Sequence, residues 1–308
     1  MRFDGGEQRW VQEVTIADGL FPFEEFTFTA AGCIGRLGPT HEQLLLHYEP
    51  LPWLSDPECF SSDEGIQKFT VPKTGTYDIE VLSPGVGSAT TQRGAFVSAQ
   101  VDLDAGDQLR IIVGQYSAPR SGCGASAVIS ENLGCLLVAG APGGRATSSS
   151  ASADAVISPL SSIEDSLGGA AATYSSAYSC SAGGGAGFSG DGGKPSFPKT
   201  SIPAGSLSTT ALGAQDQDGA GGFGGGGGWG SDSGAVACGG GGGYRGGSAA
   251  SRYSNISTPS VAGGGGTCYA LQGPLVRNLA LSLHSGLTGY VKLSLVQKSQ
   301  QSEEQPNV

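Results

Sequence analysis

From Ile66 to Val113 apolar and polar positions alternate in short runs broken by turn residues, the pattern of half-buried β-strands. Ile66–Val71 alternates, Pro72-Lys73-Thr74-Gly75 turns and Thr76–Val81 alternates again, which predicts a hairpin. Ala95–Val101 and Gln108–Val113 repeat the scheme around Asp104-Ala105-Gly106-Asp107, and Leu136-Leu137-Val138 adds another strand. Two strands come much later, Leu279–Leu283 and Gly289–Val296. Antiparallel strands of which two return after a long excursion predict an all-β jelly-roll sandwich, because late strands fill edges that early ones leave open. Helix is expected in two places only: Glu42–Tyr48, behind the start signal Pro39-Thr40, and around Ser158–Leu167.

The excursion is unusual in composition. Of 308 residues 54 are Gly and 14% are charged, and Gly and Ser concentrate between about residues 140 and 267. The chain therefore divides into a disordered start (1–20), a first sandwich part (21–140), a glycine-rich insertion (141–267), closing strands (268–297) and a disordered tail (298–308). Within the insertion, glycine blocks begin at Gly183, Gly221 and Gly239 and are punctuated by Phe188, Phe223, Trp229 and Tyr244. A flexible linker needs no such aromatics. The expectation is that oligoglycine runs form extended polyproline-II-type helices packed side by side, their amides satisfied by neighbours, with the four aromatics buttressing the bundle. The blocky Gly lacks the strict period of collagen.

Net charge is −11, and no stripe of Lys or Arg reverses that field, so nucleic acid is an unfavourable partner. Acidic residues, among them Asp102, Asp104 and Asp107, serve solubility or recognition of a basic partner. None of the seven cysteines falls in a zinc-type spacing, so no metal is expected. Cysteines in Gly/Ser loops suit an oxidising compartment, as does the sequon Asn255-Ile256-Ser257; Cys180 and Cys238 are candidates for disulfide bonding, and strand-borne Cys135 for a free thiol. No apolar run approaches the roughly 20 residues of a membrane span. The first residues lack the pattern of a signal peptide, so the chain reads as an incomplete piece of a longer surface protein.

Phe26-Thr27-Phe28-Thr29, Gly38-Pro39-Thr40, Gly65 through Pro72, Thr76-Tyr77, Leu109 through Gln115, Gly143 through Ala146, Gly221 through Gly224 and Gly242 through Ser251 follow one another in an order that resembles a known module. It is the glycine-rich ectodomain of the anaplastic lymphoma kinase and leukocyte tyrosine kinase receptors, and the likeness covers roughly residues 26 to 296. The resemblance implies a tumour-necrosis-factor-like sandwich with an inserted bundle of polyglycine helices. It also implies a cell-surface setting, binding of small basic cytokines and dimerisation, partly through acidic residues near the last hairpin. Ser285 and Tyr290 stand at those aligned positions and are the candidate partner contacts. The family's early cysteine pair is displaced, since Leu44 stands where a cysteine would be, and Cys33 with Cys59 is the expected substitute. The module is similar to one in microbial and protist surface proteins.

Catalytic motifs fail on context. Gly222 through Gly227 satisfies G-x-G-x-x-G, as any oligoglycine does, without the strand-to-helix setting of a dinucleotide site. Gly192-Gly193-Lys194 is followed by Pro195 where a phosphate loop needs Ser or Thr. No kinase catalytic loop is present, and His41, His47 and His284 neighbour no nucleophile motif. The expected function is non-enzymatic binding of a protein ligand or surface macromolecule, with no cofactor; the alternative is a structural or adhesive surface protein that uses the glycine bundle.

Overall fold

The computed structural model describes residues 2–4, 9–11, 19–86, 92–146, 151–160, 166–175, 179–196, 199–232, 235–253 and 262–296. The sequon at 255–257 and the tail from 298 lie outside the described residues, as does much of the start. The chain is mostly β. In order, it runs β1 (Arg2–Asp4), β2 (Arg9–Val11), β3 (Glu25–Thr29), α1 (His41–His47), β4 (Phe60–Asp63), β5 (Ile66–Thr70), β6 (Gly75–Leu82), β7 (Gly94–Leu103), β8 (Gln108–Ile112), β9 (Ser126–Ser130) and β10 (Gly134–Ala139). It continues with β11 (Val156–Leu160), β12 (Ala172–Ser175), β13 (Ser179–Ala182), β14 (Gly230–Asp232), β15 (Ala235–Cys238), β16 (Ala250–Tyr253), β17 (Thr267–Ala270), β18 (Val276–His284) and β19 (Tyr290–Leu295).

Two sheets dominate. One is five-stranded, in the order β18-β7-β6-β19-β3, and the other seven-stranded, in the order β11-β17-β10-β9-β8-β5-β4. The return of the late strands is as expected: β17 enters the larger sheet beside β10, while β18 and β19 flank β7 and β6 in the smaller. The two hairpins expected from the alternation do not form. β5 and β6 belong to different sheets, as do β7 and β8, so residues 71–74 and 104–107 each carry the chain from one sheet to the other. Each strand has one apolar face, and crossing over lets those faces meet, Tyr77, Ile79, Val81, Val97 and Val101 against Phe69, Leu109, Ile111 and Val128. The two crossings are bonded together, Val71 N–H to Asp107 O at 2.9 Å and Gly106 N–H to Val71 O at 2.8 Å.

One end of this core is aromatic. Phe26 lies edge-on to Trp53 at 4.9 Å between centroids, Phe28 to Phe69 at 5.4 Å, and Phe21 stacks on Trp53 at 5.4 Å; each such pair adds about 0.5–1.5 kcal/mol beyond its buried area. Helix α1 forms where Thr40 predicts it. The Thr40 hydroxyl accepts the Gln43 N–H, and the Gln43 side chain accepts the Thr40 N–H at 2.8 Å, a complete capping box. The second expected helix is replaced by β11, which pairs parallel to β17, and 161–165 lie outside the described residues. Val156 and Ile157 are β-branched, and Pro159, lacking an N–H, is tolerated because β11 is an edge strand.

The larger sheet is buried on both faces. Leu109, Ile111 and Val128 point into the core between the sheets, whereas Ile112, Ala127, Ile129 and Val138 join a second cluster with Leu207, Phe223 and Tyr244 from the glycine-rich region. That is why β9 and β10 read as near-continuous apolar runs. The glycine segments over this face bond to one another outside any ladder: Gly227 N–H to Gly240 O (2.8 Å), Gly240 N–H to Gly183 O (3.1 Å), Gly185 N–H to Gly247 O (2.9 Å) and Gly241 N–H to Gly264 O (3.0 Å). Others reach the sandwich, as from Gly242 N–H to Cys123 O (3.0 Å). Beside them the small sheets β12-β13 and β14-β15-β16 meet through Cys180, Ala182, Ala235 and Ala237.

Close approach dictates the residue type here. A Cβ on Gly240 would fall on the carbonyl of Gly247, and one on Gly124 on the carbonyl of Phe223. Exposed Gly264 differs, since the nearest atom to its Cβ position is Ser248 N at 3.4 Å. In thermal denaturation Gly240→Ala is therefore expected to destabilise on the order of 2–4 kcal/mol, by forcing two backbones apart, and Gly264→Ala by less than about 1 kcal/mol.

Candidate interaction groove

The crossings that join the two sheets build a groove at one end of the sandwich. Two cavities, of 610 and 630 Å³, share Thr74, Gly75, Thr76 and Arg277. Both fall in the range of small-ligand sites. Between them lies an ion pair: Arg277 Nη1 and Nη2 donate to Asp102 Oδ2 and Oδ1 at 2.6 and 2.7 Å, and the Thr76 hydroxyl donates to Asp102 Oδ1 at 2.6 Å. The pair is partly exposed, with Asp102 holding the Arg277 guanidinium above its ordinary value. On one side the cavity carries Asp102, Asp104 and Asp107 against this single guanidinium, over Leu103, Leu133 and Leu275. On the other, Lys73 joins Arg277 beside Leu295 and Val296. Asp107 is held by Asn132 Nδ2 at 2.9 Å and accepts the Asp104 N–H at 2.9 Å, so the turn bearing these carboxylates is fixed. Gly106, at φ 90°, allows that turn.

Ser285 and Tyr290 lie at the far end of the smaller sheet. β18 and β19 start and finish at the groove, and their connecting loop, which carries Ser285, sits a strand length away. Ser285 is exposed. Half-buried Tyr290 donates to Glu80 Oε2 at 3.0 Å, and burial, then Glu80, push its hydroxyl up to about 12.

The four aromatics of the insertion divide. Tyr244 is sandwiched between Tyr269 (3.9 Å) and Phe188 (5.7 Å), and fully buried Phe223 donates its N–H to Gly35 O at 2.6 Å. These three belong to the cluster over the larger sheet. Trp229 is elsewhere, half-exposed across Gly219 with the Arg120 guanidinium 5.0 Å from its ring centre. The G-x-G-x-x-G amides are all spent on backbone carbonyls: Gly222 on Gly122, Gly224 and Gly225 on Ala211, Gly226 on Gly222 and Gly227 on Gly240. No N–H of this stretch is left to hold a phosphate.

The disulfide expectation is corrected: none of the seven cysteines is joined to another. Cys180 packs with Ala235 and Ala237 on one face of β15, and Cys238 with Ala146 on the other, because neighbouring residues of a strand alternate sides. Cys33 sits 3.7 Å from Gln43 Oε1, and Cys59 lies in the turn after Asp56. Burial raises every thiol, Cys123 and Cys238 to about 12 and Cys180 and Cys268 to about 11. Such protonated thiols are poor nucleophiles.

With this geometry in place, comparisons with family models and with curated proteins find no match. Among the described residues no helix is long and apolar enough to cross a membrane. Sequence reading marked the Asp104–Asp107 turn but missed the Asp102, Thr76 and Arg277 constellation. Its members are far apart in the chain and meet only after the crossings and the return of β18.

Among the described residues one carboxyl is buried inside the glycine layer. Asp216 is 5% exposed, and its Oδ2 accepts the Gly183 N–H at 2.6 Å, with Gly228 and Ser201 also beside it. Burial outweighs these contacts and raises the carboxyl from 3.8 to about 6. A folded-state value above the unfolded one favours folding most below pH 3.8, and the contribution is lost as pH rises through about 6. Asp216→Asn should therefore raise stability near pH 8 by on the order of 2 kcal/mol and leave it almost unchanged near pH 3, as read by denaturant unfolding.

Proposed function

We propose that this chain is a non-enzymatic binding module of the glycine-rich receptor ectodomain type, a jelly-roll sandwich whose inserted polyproline-II-type glycine bundle is architectural. The observation that carries this reading is the use of the glycine amides. They bond to carbonyls of neighbouring segments and of the sandwich, which uses the layer as cover for the larger sheet. The cell-surface setting comes from the sequence resemblance, and it needs no disulfide, since buried aromatics and backbone bonds hold the fold.

Binding is assigned to the groove beside Arg277. Its acidic lobe, three carboxylates against one paired guanidinium over a leucine floor, suits a basic side chain presented by a protein ligand. Lys73 and Arg277 in the adjoining lobe suit an acidic neighbour on the same ligand. Such charge complementarity would set the encounter rate and orientation of the partner more than its final affinity.

An oligolysine peptide is the direct probe, with binding followed by calorimetry at low salt. Asp104 sits in an exposed turn, and Asp104→Lys should weaken binding about tenfold or more with an unchanged melting temperature. Equal binding by the variant would remove the groove from the account, and no binding by the unaltered protein would remove the basic partner.

A further inference from the structure

We propose that the edge strand β18 pairs antiparallel with β18 of a second copy, joining two five-stranded sheets into one continuous sheet across a two-fold axis.

The contrast among sheet edges motivates this. An open edge exposes unpaired backbone groups, and folded proteins guard it with charge, proline, short length or a covering element. Three of the four edges of the large sheets are guarded in this way. At β3 the Tyr48 hydroxyl accepts the Thr29 N–H at 2.9 Å, and Gln67 Nε2 donates to Thr29 O at 2.9 Å. β4 is only four residues long and ends in Asp63 beside α1, where Ser62 meets His41 at 3.3 Å. β11 contains Pro159.

β18 is the exception. It is nine residues long, pairs only with β7, and among the described residues no strand lies beyond it. Among the described residues its guards lie at its start, Arg277 and a bulge where Asn278 has φ 55° and the register shifts between Arg277 and Ala280. From Asn278 to Leu283 it carries no charge, although the chain bears −11. Leu279 is 38% exposed, and Leu281 and Leu283 pack against the core between the sheets yet are only partly buried.

The sequence of the strand favours itself as the occupant. Antiparallel pairing about Leu281 sets Leu279 against Leu283 of the other copy, and Ala280 against Ser282. Each face then meets its like in character, and no like charges are opposed. Arg277, the nearest cation, is already engaged by Asp102 and lies outside the seam. The arrangement is isologous and closes after two copies, the commonest symmetry of soluble assemblies. It leaves the groove at the β18 start open, so dimerisation and ligand binding are compatible.

The test is sedimentation velocity on the full chain over a range of concentrations, with amide hydrogen exchange at the same concentrations. The expected result is a monomer passing to a dimer, with amides of 278–283 exchanging more slowly as concentration rises. Leu279→Lys, at an exposed position, should raise the dimer dissociation constant about tenfold or more. If that variant fails to fold, the exchange measurement on the unaltered chain still decides. A monomer at every concentration would overturn the proposal, and so would a dimer whose β18 amides exchange at a rate independent of concentration.

Discussion

Close approach of backbone to backbone is the constraint on which the rest of the structure depends. A sheet buried on both faces needs a cover on each, and here the second cover consists largely of glycine segments with little side-chain area to bury. What such segments offer is amides and carbonyls. These can be satisfied only by other segments lying closer than any side chain permits, as at Gly124 and Gly240. Once that lattice exists, apolar burial concentrates where aromatics reach through it. Phe223 and Tyr244 therefore sit against the larger sheet, while Trp229 is left at the periphery.

On the proposed reading the same constraint separates architecture from recognition. A layer whose amides are committed to carbonyls has little capacity left for a ligand. The available chemistry moves to the end of the sandwich, where two crossings bonded to each other bring together Asp102, Asp104, Asp107 and, from the returning strand, Arg277. Asp216, the one buried carboxyl among the described residues of the layer, shows what a charge costs there: the Gly183 N–H donates to it, yet burial still raises it to about 6.

Strands were legible in the chain where one face is buried, because alternation has a period of two, and Ile66–Val113 shows it plainly. Partners were not. Alternation marks which face of a strand turns inward, not which sheet it joins, so Pro72–Gly75 reads as a hairpin turn and is a crossing between sheets. β9 escaped notice because a strand covered on both faces has no alternation to show. The stretch around Ser158–Leu167 was read as helix for want of length to establish a period, although its start falls in β11, whose β-branched Val156 and Ile157 and whose Pro159 favour an edge strand. Glycine blocks announced an unusual element, and their punctuating aromatics argued for order, but which carbonyl each amide finds is a property of the assembled layer. The cysteines misled for a related reason. Cysteines placed in Gly/Ser loops suggest disulfides, whereas the opposite facing of Cys180 and Cys238 about β15 follows from strand register alone.

Amide hydrogen exchange across Gly183–Gly187, Gly221–Gly228 and Gly239–Gly247 tests the central claim most directly. The expected result is protection comparable to that of β9 and β10, lost together with them on unfolding, because these amides bond into a layer that the sheet requires as its cover. Exchange at the rate of an unstructured chain, while β9 and β10 stay protected, would contradict it and leave the glycine segments as a loose connection beside an independent sandwich.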